Sequence, residues 1–223
     1  MNNYYAEIQN FTDTLESVAS IFLNKKIIFS YKFGALVHNY KLSLSSKYFV
    51  TCLANSKHED SGKVFIFDVE NNQLLFSGVL EIGTIKEFFF INEAEDLYVV
   101  NDFGSYEIDK NGEVVDLERV YYDAVMAAHN NSIYFMDSYL KDKNFSDISI
   151  RQVIHSLDRI IDNQFNQFHG IYWSALALRK RGEYLEMIGE NEEAFLNYID
   201  AIYLDPKVGV KRKLTTLGKK IGG

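Results

Sequence analysis

Apolar residues at Tyr4, Ile8, Phe11, Leu15, Val18 and Phe22 advance in steps of four, three, four, three and four. That spacing lines one face of an α-helix, and Glu7, Asp13 and Glu16 fall off the line. The pattern predicts an N-terminal helix over residues 1–25, with a two-strand reading near Val18–Leu23 as the alternative.

From Lys26 the period shortens. Ile27-Ile28-Phe29, Tyr48-Phe49-Val50, Val64-Phe65-Ile66-Phe67, Leu74-Leu75-Phe76, Phe88-Phe89-Phe90-Ile91, Leu97-Tyr98-Val99-Val100 and Ile133-Tyr134-Phe135 are short β-prone runs. Polar turns such as Glu70-Asn71-Asn72, Lys110-Asn111-Gly112 and Asn130-Asn131 separate them, as hairpins require. Parallel strands would need helical crossovers, so residues 26–140 are expected to form an antiparallel meander.

The meander carries an internal echo. Residues 63–75 and 104–115 each run from a strand to an Asp, a polar turn and a new strand, with Asp68 and Asp109 41 residues apart. The period and pattern resemble WD-type propeller blades, without that family's Gly-His and Trp-Asp signatures. Some 110 residues supply about two or three blades, and closure takes about four to eight. The expectation is therefore an open, twisted sheet of blade-like hairpins, not a closed propeller, with helices covering its face or edges.

A helical region is predicted over 147–223. Ser149 and Gln152 have capping-box spacing. Ile150, Val153, Ile154, Leu157, Ile160, Ile161 and Phe168 follow on one face, and Gly170 divides this helix from the next.

Residues 175–208 resemble a single tetratricopeptide repeat. Gly182, Ala194 and Ala201 match its small positions, Gly189 its turn, Tyr198 its second-helix aromatic and Leu204-Asp205-Pro206 its closing motif. Small residues there let two antiparallel backbones approach. The pattern departs at Leu178, where Trp is frequent, at Arg181, where Leu is usual, and at Leu185, where Tyr is usual. A template shifted 34 residues upstream fails at Ile160 and Gln167. Asp205 is expected to cap a last helix with Pro206 at its first position. The apolar stripe of that helix would be Val210, Leu214, Leu217 and Ile221. The fold class expected is thus α+β.

Composition narrows the function. The chain has 223 residues, 47% hydrophobic, enough for a buried core. No run approaches a membrane span, and the N-terminus lacks a secretory signal pattern. One cysteine, Cys52, cannot form an internal disulfide, and a cytoplasmic location is expected. The net charge is −8, but six basic residues and no acidic one lie from Lys207 onward. Residues 1–206 hold 31 acidic residues against 17 basic. An acidic body argues against nucleic acid and permits attraction to a basic partner.

Catalytic and cofactor signatures do not surface. His38, His58, His129, His155 and His169 lack metal-ligand spacing. No phosphate loop or nucleophile elbow occurs. Cys52 sits in an apolar run with no charge to activate it.

The function expected is therefore non-catalytic protein binding, most specifically by an immunity protein that neutralises a cognate bacterial toxin through direct contact. Glu59, Asp60, Glu93, Glu95, Asp96 and Asp102, on loops of the sheet, are the candidate contacts for a basic toxin domain. An adaptor or chaperone-like scaffold is the alternative, holding a peptide on helix residues such as Asn197 and Arg179. An enzyme with an unrecognised site is the third reading.

Overall fold

A computed structural model of the chain describes residues 3–54, 57–141, 150–164 and 170–222. The chain is α+β and divides into two compact units, residues 1–120 and 121–223. The first unit holds three antiparallel sheets, none closed into a barrel.

Strands β1 (Tyr4–Phe11), β2 (Glu16–Leu23) and β3 (Lys26–Phe33) form the first sheet, in sequence order. The second holds β4 (Val37–Leu42), β5 (Tyr48–Leu53), β6 (Val64–Asp68) and β7 (Gln73–Gly78). The third holds β8 (Glu87–Ile91), β9 (Asp96–Val100) and β10 (Ser105–Ile108), and Val114 adds a bridge to Ile108.

The predicted N-terminal helix is a hairpin instead. Tyr4 pairs with Leu23 and Phe11 with Glu16, across a turn closed by Leu15 at φ 55°. The inward positions of β2 are Ser17, Ala19 and Ile21, all fully buried. Two of those three are small, so their period-2 signal is faint beside the bulky residues of the opposite face. Ser17 is held by chemistry: its hydroxyl donates to Asn10 Oδ1 at 2.5 Å and accepts from the Val37 N–H at 2.9 Å.

The central sheet is covered on both faces. Val50, Cys52, Val64 and Ile66 pack with Phe88, Leu97, Val99, Tyr106 and Ile108 of the third sheet. Phe49, Leu53, Phe65 and Phe67 point the other way, into Ala19, Ile21, Phe29 and Phe33 of the first. That is why β6 reads as an unbroken apolar run, Val-Phe-Ile-Phe, where a half-exposed strand would alternate. The expected single open sheet is therefore corrected: three small sheets cover one another, and helices are not needed for that.

Helix α1 (Leu117–Ala127) lies within the span assigned to strands. Asp116 caps it, accepting from the Arg119 N–H at 3.0 Å, and Val120 joins the third sheet's core. The strand expected at Ile133-Tyr134-Phe135 is likewise helical, in α2 (Ser132–Lys141). Three apolar residues cannot discriminate the two states; Ile133, Met136 and Tyr139, all buried, carry the helical spacing. The division between units consequently falls within α1 rather than near residue 140.

The second unit continues with α3 (Ile150–Gln164), α4 (Gly170–Met187), α5 (Asn191–Leu204) and α6 (Lys211–Ile221). Ser149 and Phe168 lie outside the described residues. Helices α4 and α5 form the hairpin read in the sequence. Gly189, at φ 83°, ends α4: the Glu190 N–H returns to the Leu185 carbonyl at 2.9 Å and the Gly189 N–H to Glu186 at 3.1 Å. A Cβ on Gly182 would stand 2.6 Å from the Tyr198 ring and 3.2 Å from the Ala194 carbonyl, so the crossing requires glycine. The closing motif differs from expectation. Asp205 Oδ1 takes the Lys207 N–H at 2.9 Å within a turn, and α6 begins only after Val210.

Candidate functional site

Four turns of the first unit are tied together at one end of its second and third sheets. Glu95, in the β8–β9 turn, accepts the Ser45 N–H at 2.5 Å and the Ser45 hydroxyl at 2.8 Å, from the β4–β5 turn. The Val69 N–H, entering the β6–β7 turn, donates to the Lys47 carbonyl at 2.7 Å. Lys110, in the turn after β10, donates to the Glu95 carbonyl at 2.7 Å and lies 4.0 Å from the Tyr48 ring centroid. Burial lowers the pKa of that ammonium against the pull of Glu95 and Asp96. Burial raises the pKa of Glu95, but its hydrogen bonds from Ser45 outweigh this and hold it below the ordinary carboxylate value.

Asp68 and Asp109 organise two of these turns in parallel ways. Asp68 Oδ1 accepts the Asn71 N–H at 2.9 Å, and Asp109 Oδ1 accepts the Asn111 and Glu113 N–H groups, both at 2.8 Å. With Asp68 and Glu95 turned inward, the rim presents Glu70, Glu93 and Glu113 exposed and Asp96 and Asp109 half-buried. Leu44, 87% exposed, stands on the β4–β5 turn among them.

The six carboxylates read from the sequence do not share one surface. Glu93, Glu95 and Asp96 belong to this rim. Asp102 lies past the far end of β9, roughly 13 Å of strand away at ~3.3 Å per residue. Glu59 and Asp60, in the β5–β6 loop, are at that far end too, because Tyr48 at the start of β5 pairs with Asp68 at the end of β6. Glu95, at 6% exposure, is a turn-to-turn brace. Asp60 is engaged by Lys63 at 2.8 Å and Asp102 by Lys86 at 2.6 Å; Glu59 is exposed. Glu70, Asp109 and Glu113 were missed as site residues. The Asn-containing turns signalled their positions, but the side-chain bonds joining the turns are invisible in sequence.

A cleft of about 490 Å³ opens at the far end, lined by His38, Cys52, Ser61, Leu80, Thr84 and Ile85 among others. Burial pushes the Cys52 thiol up to about 11, opposite to the shift an attacking thiolate needs. Among the described residues, no three of His, Cys, Asp and Glu come together as a metal site, and no helix is long and apolar enough to cross a membrane. No family model and no curated protein matches the chain.

Charge divides sharply between the units. Residues 1–120 hold 18 acidic and 10 basic residues, while 121–223 hold 13 of each. In the second unit many of those charges brace the helices. Lys180 reaches Asp137 of α2 at 2.5 Å, and Arg181 reaches Asp158 of α3 at 2.5 Å and Glu193 of α5 at 2.8 Å. Tyr184 donates to Asp137 at 2.6 Å. Burial raises the pKa of Asp137, but the bonds from Lys180 and Tyr184 outweigh it and hold the carboxyl low.

The two residues named for a peptide groove are consumed in the same way. Arg179 serves Glu183 at 3.1 Å and the Val208 carbonyl at 2.9 Å. Asn197 is 6% exposed and donates to the Glu193 carbonyl at 2.8 Å.

Proposed function

We propose that this chain is a non-catalytic protein-binding protein whose acidic rim receives a basic partner. In its most specific form it is an immunity protein that neutralises a cognate bacterial toxin by direct contact. The supporting observation is the rim itself: four turns cross-braced through Ser45, Glu95, Lys110 and the Val69–Lys47 backbone bond, presenting three exposed and two half-buried carboxylates with exposed Leu44. Bracing matters because a pre-ordered charged surface loses little entropy on binding, and its field speeds encounter with a cation.

The finer fold readings belong to the same proposal. The second and third sheets are read as propeller-blade-like, and the α4–α5 hairpin as tetratricopeptide-like. The hairpin then buttresses the second unit, since Arg179 and Asn197 are spent on internal bonds.

The test is co-purification from the native host, followed by binding of the captured protein to the triple variant Glu70→Lys, Glu93→Lys, Glu113→Lys. A basic partner whose affinity falls at least tenfold, about 1.4 kcal/mol, supports the reading. Capture unaffected by the three reversals, or turnover of a small molecule by the chain alone, overturns it.

A further inference from the structure

We propose that the outer face of α5 is a second docking surface, fitted to a basic amphipathic helix of another protein. Leu196, Ile199 and Tyr203 stand at i, i+3 and i+7 on one line of α5, with exposures of 58%, 41% and 86%. Directly opposite, Ala194, Tyr198 and Ala201 are fully buried. A surface helix needs one apolar stripe; α5 has two, and among the described residues only one is covered. Such a contiguous apolar line marks an interaction site more often than an isolated exposed residue does, and a tyrosine at its end suits a contact anchor.

The face continues an interface already formed. A groove of about 680 Å³ runs from Gly189 to Leu196 of α5 and on to Lys220 and Ile221 of α6. Helix α6 shows what chemistry seats beside α5: Leu217 is buried, Gly218 lies under the Phe195 ring, and Lys211, Arg212 and Lys219 face solvent.

Charge selects the occupant. Glu192 extends the apolar line toward the N-terminus of α5, and Asp200 flanks it, both exposed; the basic group at the groove, Lys220 of α6, is turned to Asn191 Oδ1 at 3.3 Å. Glu193, on the same flank, is held by Arg181. A second copy of this chain docked face to face would bring a second set of the same carboxylates, Glu192 and Asp200, to the seam, which like-charge repulsion disfavours. A helix with aliphatic residues at i, i+3 and i+7 and lysines on its margins meets both demands.

The probe is a synthetic amphipathic helix of about 15 residues with leucines at that spacing and lysines on its margins, compared with the same peptide bearing glutamates. Binding to the full chain is read by fluorescence anisotropy and by amide chemical shifts. The lysine peptide should bind at least about tenfold more tightly, with shifts centred on α5. Leu196→Glu with Tyr203→Glu should remove that binding at an unchanged melting temperature, since both side chains are already exposed. Glu192→Lys with Asp200→Lys should invert the preference. Equal binding of the two peptides, or indifference to Leu196 and Tyr203, overturns the proposal. So does self-association that Tyr203→Glu dissolves, because the face is then an interface between copies. The rim reversals leave this surface untouched, so failure here and failure of the rim are separable.

Discussion

Glu95 spans the β4–β5 and β8–β9 turns by receiving both the backbone N–H and the hydroxyl of Ser45, at 2.5 and 2.8 Å. A carboxylate at 6% exposure is tolerated because each oxygen is bonded. Glu95→Ala leaves the Ser45 N–H without its acceptor and should cost about 2–4 kcal/mol, while Glu95→Gln, which keeps one acceptor, should cost about half that. The contribution depends on pH in a fixed direction. The folded pKa lies below the ordinary 4.5, so the stabilisation is complete above that value and is lost as pH falls through the folded pKa. Urea unfolding at pH 7 and pH 3 should show the gap between native protein and Glu95→Gln shrinking in acid. A gap independent of pH would mean that the carboxylate's charge is irrelevant there.

Much of the first unit was legible as short β runs with turns between them, because β5, β6, β8 and β9 are dense in β-branched and aromatic residues. The N-terminal hairpin was legible only as the two-strand alternative near Val18–Leu23, since the inward positions of β2 are Ser17 and Ala19 beside Ile21. A helical stripe from Tyr4 to Phe22 arises there by sampling both faces of two strands across a turn. Helix α1 had a readable start, Asp116 capping Arg119, but was overlooked inside a β-rich span. The hairpin of α4 and α5 was legible because glycine at 182 and 189 has few substitutes. The site was only half legible. Glu93 lies in a turn as expected, while Asp96 opens strand β9, and no spacing reveals that Ser45 meets Glu95 fifty residues later.

Arg181 ties three helices of the second unit together. Its guanidinium joins α4 to Asp158 of α3 and to Glu193 of α5. Both carboxylates are more than a third exposed, so screening limits the gain. Arg181→Leu should therefore lower stability by about 1–2 kcal/mol. Thermal melts at low and high salt check this: the deficit should narrow as salt rises. A more stable variant would show that leucine packing there outweighs the two pairs.

Gly182 and Gly189 separate two kinds of glycine requirement. At 182 an added methyl meets the Tyr198 ring at 2.6 Å and the Ala194 carbonyl at 3.2 Å, while at 189 it meets nothing within 4 Å and only φ, at 83°, objects. Gly182→Ala forces α4 and α5 apart and should cost about 2–3 kcal/mol. Gly189→Ala should cost about 1 kcal/mol through backbone strain alone. Chemical denaturation of both variants should rank them in that order; the reverse would mean that the helices do not cross closely at Gly182.

Cys52 offers a direct check on the enzyme reading. It is 4% exposed on β5 and beside the cleft that also holds His38, an arrangement that a thiol nucleophile could use. Burial, however, pushes its pKa to about 11, so at pH 8 the thiolate is only about one part in a thousand. Iodoacetamide at that pH should leave the folded protein unmodified over hours and label it within minutes in denaturant. Cys52→Ser should leave partner binding intact. It should lower stability by about 1–2 kcal/mol, because a hydroxyl replaces a small apolar group within the core. Rapid alkylation of the folded chain would instead expose an activated thiol in the cleft, and with it a catalytic role that the acidic rim does not require.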